Sequence, residues 1–275
     1  MKIVDIDHVP REEYTHVREG IFHVQRLLTG VAGTPGNFLL QLSILPNSYY
    51  SPRHRHNFDQ YRYQLEGEFD FATDGNMGPG DLAYFPEGTY YGPQSSSAAS
   101  VTLVLQFGGA SGSGFISSEQ YAQALQELAA AGSFAKGVYT RTRDDGTRVN
   151  QDAYEAVWER VNGRPLEYPR PRYGRPVFTH PGQFTWRPLA AHPGVSCKLL
   201  GVFSERGTRA ALYRVSKGAT LPLQEDGIYF VTSGAGAITG GRFARYTTIH
   251  LQRGEHAAVT ADEDSELLQL GLSEI

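Results

Sequence analysis

His54 and His56 stand two residues apart within residues 48–67, SYYSPRHRHNFDQYRYQLEG. Alternate residues of a strand point to one face, so both imidazoles can converge on one point. A neutral imidazole keeps a free lone pair and is the commonest metal ligand near neutral pH. The polar turn Asn57-Phe58-Asp59 follows, and then Gln60, whose amide offers a carbonyl oxygen without a charge. A second segment, residues 80–88, GDLAYFPEG, ends its strand at Pro86-Glu87-Gly88, and Tyr91 comes three residues later. Beside a divalent cation, the Tyr91 phenol can be a ligand, a general base or a proton donor; otherwise it is an aromatic that narrows a pocket. Alternation from Gln60 puts Arg62 and Gln64 on the inward face, with Tyr61, Tyr63 and Leu65 outward. An inward arginine needs an anionic partner. Arg62 therefore either grips a substrate carboxylate or enolate, or pairs internally with Asp70 or Glu68. Arg53 and Arg55 alternate away from the histidines and are expected in solvent.

The two segments together resemble the cupin superfamily, whose motifs read G-x5-H-x-H-x3-E-x6-G and G-x5-P-x-G-x2-H-x3-N. Ser48 takes the first glycine position, and His54, His56 and Gly67 fall on theirs; Gly80, Pro86 and Gly88 match the second motif. Gln60 stands where the family has glutamate, and Tyr91 where it has a third histidine. The resemblance implies an all-β chain of two cupin-type jelly-roll (double-stranded β-helix) barrels joined by a short helical segment. It implies one divalent metal ion per chain, iron first, with manganese, nickel, copper or zinc as alternatives. The ligands would be His54, His56, Gln60 and Tyr91, with Tyr91 and Arg62 acting on the substrate. Gln60 either touches the ion or hydrogen-bonds a metal-bound water or the substrate. Three functions follow by analogy: a non-haem dioxygenase, which is the leading reading; a metal-dependent isomerase, cyclase or lyase; or a non-catalytic module that binds or senses a small molecule. Tyr49, Tyr50, Tyr84, Phe85, Tyr90 and Tyr91 near the motifs suit an aromatic substrate, or a barrel core. Bicupins commonly dimerise by strand exchange, so the resemblance also implies a homodimer.

The remaining composition agrees with a β-rich chain. There are 275 residues, with 31 glycines, 15 prolines, 16 tyrosines and 14 phenylalanines, a profile of many turns and strand-forming aromatics. A net charge of −4 argues against binding nucleic acid or another polyanion. Cys197 is the only cysteine, which excludes an internal disulfide and a thiolate zinc cluster; it reads as a buried, inert thiol. The N-terminus MKIVDIDHVPREEY lacks the apolar core of a signal peptide, and no apolar run reaches membrane-spanning length. The expectation is a cytoplasmic protein with a small-molecule substrate and neither membrane nor nucleic-acid partners.

Three regions are expected: a first barrel carrying the site (residues 1–110), a helical segment with a Pro/Arg-rich linker (111–176), and a second, metal-free barrel (177–275). Short apolar strands bounded by Gly, Pro or Ser run from about Phe22 to Phe107. Ser117 can cap a helix carrying Tyr121, Leu125 and Leu128 at helical spacing. A second helix is expected from Asp152 to Val161, with Tyr154, Val157, Trp158 and Val161 on one face and Gly163 just beyond. Residues 140–149 between the helices read as an exposed loop. The run RPLEYPRPRYGRP, residues 164–176, reads as an extended linker, or alternatively as an anion-binding arm. From Phe184 the strand pattern returns as a faint repeat: residues 218–223 line up with Ser48 to the histidines, Gly227 with Gln60, Gly234 with Gly67, and residues 254–257 with 80–83. Leu221 and Leu223 then occupy the positions of His54 and His56 and would fill the barrel as core.

Overall fold

Alternating apolar strands can bury one face only by stacking on a second sheet, and that is the arrangement found. The computed structural model describes residues 1–15, 21–112 and 114–274. They form two compact units: Arg11–Val24 with Thr29–Phe178, and Met1–Pro10 with Gln25–Leu28 and Thr179–Ile275.

In the first of these units, strand Asp59–Glu66 lies between Leu82–Phe85 and Ser100–Phe107, and Phe38–Leu45 pairs with the far edge of Ser100–Phe107, all antiparallel. A four-stranded sheet of Tyr49–Ser51, Gln94–Ser96, Phe69–Asp70 and Asn76–Met77 belongs to the same unit. The interior is aromatic: Phe22, Phe69, Phe71, Phe85 and Tyr91 pack with Val24, Leu45, Met77 and Ala83. Motif glycines close the turns. Gly67 and Gly88 have φ of +70° and +77°, and a Cβ on Gly88 would lie 2.1 Å from the Pro169 carbonyl oxygen, so only glycine fits there.

The segment after this barrel carries both expected helices and one element that was not expected. Helix α1 (Ser118–Ala129) starts at Ser117 with a reciprocal capping box to Gln120. Helix α2 (Ala153–Asn162) is capped by the Asp152 carboxylate on the Tyr154 and Glu155 amides, and ends at Gly163 in the left-handed region, φ +65°. Tyr154, Val157 and Trp158 join Phe58, Ile116 and Ala124 in a second core. Between the helices, residues 140–149 are no plain loop. Gly132–Ala135, Val138–Thr142 and Arg148–Asp152 form a three-stranded antiparallel sheet, and only the turn around Asp145 is left as a tip. The alternation Val138, Thr140, Thr142 carried this signal, but it was masked by the charged run at the tip.

Residues 164–176 are extended, as the prolines require, and pack on the first barrel. Tyr168 lies under the Arg55 guanidinium at 3.8 Å, Thr89 donates to the Tyr173 carbonyl, and Arg172 pairs with buried Glu87 at 2.6 Å. Arg53 is exposed, as expected, though held by hydrogen bonds, whereas Arg55 is half-buried. Arg53 bonds Asp74 and the Gly92 and Tyr90 carbonyls, and Arg55 sits between Tyr90 and Tyr168.

The other unit repeats the architecture. One sheet runs Lys2–Val4, Thr248–His250, Gly227–Ser233, Ser265–Gly271, Arg209–Val215, Val195–Val202, Arg187–Pro188; the other runs Thr220–Leu223, Ala257–Ala261, Gly236–Ile238, Gly241–Phe243. Leu221 and Leu223 are 3 % and 6 % exposed and belong to its core. Cys197 is half-buried beside this core, and burial raises its thiol pKa, which keeps it in the inert form.

Removing the Asp152 cap should cost about 1 kcal/mol. Urea denaturation of Asp152→Ala is expected to show that loss, and an unchanged midpoint would mean that helix packing alone holds α2.

Candidate functional site

His54 and His56 do converge. Their ring centroids are 5.0 Å apart, and Tyr91 lies 4.6 Å from His54 and 6.0 Å from His56. The backbone brings this about, because His54 and Tyr91 exchange both main-chain hydrogen bonds as an isolated antiparallel bridge. His54 Nδ1 is 2.7 Å from the Pro52 carbonyl oxygen, which can only accept. The neutral ring is thereby held as the Nδ1–H tautomer, and its Nε2 lone pair faces the Tyr91 hydroxyl at 3.0 Å. A backbone carbonyl on the far ring nitrogen is also the arrangement that orients metal-bound histidines. His56 stacks on Phe58 at 4.4 Å and meets the edge of Tyr154 at 5.3 Å, so helix α2 supplies one wall beside it. The Tyr154 hydroxyl is tied down by Asn57 Oδ1 at 2.8 Å.

Arg62 faces the interior, as alternation requires. Its guanidinium carbon lies 4.9–5.8 Å from the ring centres of Phe85, Phe71, Tyr91 and Phe69, a cation on aromatic faces. Nε donates to Gln60 Oε1 at 2.5 Å and Nη1 to Gln94 Oε1 at 2.6 Å. Neither Asp70 nor Glu68 pairs with it; Asp70 instead accepts from the Ala72 amide. Among the described residues Arg62 has no carboxylate partner, which corrects the expected internal ion pair. Gln94 was not singled out in the sequence, because a Gln-Ser-Ser run after Gly-Pro carries no pattern that points inward.

The donor set can be tested against a divalent ion. Among the described residues, no three His, Cys, Asp or Glu side chains come together as a metal-holding group. His54, His56 and the Tyr91 oxygen do come together, and three neutral or phenolic donors suit a borderline transition-metal ion rather than calcium or magnesium. The Gln60 oxygen faces the guanidinium, so an ion on it would sit against a fixed positive charge.

Sequence reasoning missed a buried acidic pair on the opposite face of the same strand end. Asn57, Phe58 and Asp59, expected as a polar turn, are all buried. Asp59 accepts from the Tyr84 hydroxyl at 2.7 Å and the Glu87 amide at 2.8 Å. Glu87 accepts from the Ser111 amide and hydroxyl and from Arg172. Burial pushes the Asp59 carboxyl up to about 7, against the lowering effect of its hydrogen bonds. The Tyr84 phenol is pushed upward by burial and by the adjacent Asp59 charge. This cluster clamps the end of strand Leu82–Phe85, the Gly-rich turn at 108–112 and the 164–176 strap together. Tyr61 and Tyr63, although outward, are buried as well, Tyr61 between Tyr84 and Phe107.

Comparison with known proteins bears on the fold. Residues 41–106 match the Cupin domain. The fold is similar to that of a candidate dioxygenase from Nostoc punctiforme PCC 73102, at 10 % identity and a TM-score of 0.64, over 100 % of this chain and 84 % of that one. It is also similar to oxalate decarboxylase from Bacillus subtilis, at 12 % identity and a TM-score of 0.56, over 98 % of this chain and 75 % of that one. No curated protein matches the sequence. The Cupin match thus falls within the first barrel, which holds the histidine pair, whereas leucines stand at the matching positions of the other unit. Among the described residues, no helix is long and apolar enough to cross a membrane.

Because its carboxyl is raised from the usual range to about 7, Asp59 favours the fold most when protonated. Its contribution is full below about pH 4 and is lost as pH rises toward 7. Thermal melts between pH 5 and 8 should therefore show Asp59→Asn gaining stability relative to the parent protein as pH rises. A constant difference across that range would contradict the raised carboxyl.

Proposed function

We propose that the first barrel binds a small organic anion on Arg62 and acts on it with the Tyr91–His54 pair. The observation that carries this reading is the Arg62 guanidinium itself: half-buried among aromatic rings, bonded to two neutral amide oxygens, and without a carboxylate partner among the described residues. A cation held in a low-dielectric interior without a counter-charge is costly, and a carboxylate or enolate ligand would offset that cost. The aromatic rings around it suit a planar ligand. Tyr91 donates to His54 Nε2; with that lone pair free, the hydroxyl can pass its proton to a substrate oxygen and the pair is reset from solvent, whereas an ion on Nε2 would occupy the lone pair and leave Tyr91 as a ligand beside it.

The residues that would hold a metal are His54, His56 and Tyr91, with Gln60 supporting Arg62 instead of the ion. A divalent ion there would polarise a substrate oxygen as a Lewis acid or, if redox-active, support oxidation. Manganese centres are known in the oxalate decarboxylase whose fold this chain shares. Iron and a dioxygenase reaction remain our leading assignment, supported by the fold shared with the candidate dioxygenase and by a donor set suited to such ions. A metal-free binding module is the second reading, favoured by the lack of a carboxylate beside the histidines among the described residues.

Elemental analysis of the purified protein should find about one transition-metal ion per chain, falling to background in His54→Ala/His56→Ala. A full equivalent retained by the double variant would exclude these ligands, and none in the parent protein would favour the binding module. Arg62→Met should weaken binding of small carboxylates on the order of 10- to 100-fold, through loss of charge-assisted hydrogen bonds. Unchanged affinity in a titration would refute the anion site.

A further inference from the structure

Gln60 and Gln94 are 1 % and 4 % exposed, and each gives its carbonyl oxygen to Arg62. A guanidinium can only donate, so these contacts fix the orientation of both amides with oxygen toward Arg62 and nitrogen away from it. Neither amide NH2 group donates to another described residue, and Arg62 Nη2 does not either. None of these nitrogens is among the sealed, unsatisfied atoms of the interior, so they stay open to water or to a ligand's acceptor oxygens. The cluster thus presents a positive charge and several N–H groups, with each amide oxygen turned toward Arg62 and each amide nitrogen away from it. The charge state of the two side chains matters as much as their geometry. A carboxylate at either position would pair with Arg62 and cancel its charge, whereas an amide holds the guanidinium in place and leaves the charge standing. That gives a physical reason for glutamine at position 60, where the cupin motif has glutamate.

We propose that Gln60 and Gln94 are the positioning and selectivity residues of this site: they hold Arg62 without neutralising it, and with it form a donor-only wall that selects a small carboxylate or enolate bearing further acceptor oxygens over its neutral amide. The inference rests on the reading of Arg62 as an anion site and adds to it the device that keeps the anion site cationic. Gln94 touches neither histidine among the described contacts, so its effect runs through Arg62 alone.

Calorimetric titration of the purified protein with pyruvate and benzoate, and with pyruvamide and benzamide as their neutral counterparts, tests both levels. The parent protein should bind at least one acid about tenfold or more tightly than its amide. Gln94→Glu should melt at the same or a higher temperature, because a new ion pair forms, yet bind that acid at least about tenfold more weakly, with the acid-to-amide preference collapsing. A merely structural Gln94 would show the reverse: a lower melting temperature and an unchanged preference. Acid binding by Gln94→Glu equal to the parent's overturns the inference while leaving the anion site standing. Parent-like acid binding by Arg62→Met, or no acid binding by the parent protein, overturns the anion site as well. Should Gln94→Glu fail to fold, Gln94→Leu replaces it, and an unchanged acid-to-amide preference in that variant counts equally against the inference.

Discussion

A guanidinium inside an apolar barrel has to be held, solvated and left chemically available at once, and the first barrel is arranged around that constraint. Four aromatic rings lie within 6 Å of the Arg62 carbon and replace part of its hydration with π-faces. Two amide oxygens replace two of its water contacts. They come from different sheets, Gln60 from strand Asp59–Glu66 and Gln94 from strand Gln94–Ser96, so the side chain is fixed from two sides of the interior. Tyr91 serves both parts of the site: its ring lies beside Arg62 and its hydroxyl on His54 Nε2. The cation and the histidines therefore share one wall.

That interior is secured from outside by a second set of charges. Asp59 precedes Gln60 on its strand and accepts from the Glu87 amide, just beyond Phe85, the register partner of Gln60. Ser111 and Arg172 close on Glu87 from the Gly-rich turn and the proline-rich strap. Buried ion pairs are weak sources of net stability, but breaking one is costly, so this clamp fixes geometry more than it adds stability. Helix α2 contributes in the same sense, bringing Tyr154 to the edge of His56 and holding it there through Asn57. The leucines at the matching positions of the other barrel are core.

What could be read from the sequence was local. The H-x-H spacing, the motif glycines and the alternation that turns Arg62 inward depend on residues a few positions apart, and the structure arranges them accordingly. Both helices were legible to within a residue or two, because their caps, Ser117, Asp152 and Gly163, are local signals. The sheet between them was not, because a charged hairpin tip looks like a loop. Long-range partners were also invisible. Nothing near Arg62 in sequence indicates Gln94, which lies 32 positions away. Arg172 lies 85 positions from Glu87, and strand Lys2–Val4 pairs with Thr248–His250 at the other end of the chain. The expected pairing of Arg62 with Asp70 or Glu68 failed for a related reason. Electrostatics says that a buried cation wants an anion, but it does not say whether the protein or a ligand provides it.

A crystal structure of the protein grown with benzoate bears most directly on the central claim. The account requires the carboxylate to lie on the Arg62 guanidinium within hydrogen-bonding distance, about 2.7–2.9 Å, with Gln60 and Gln94 keeping their oxygens on Arg62. Arg62 paired instead with Asp70 or Glu68, and benzoate bound elsewhere or absent, would contradict it.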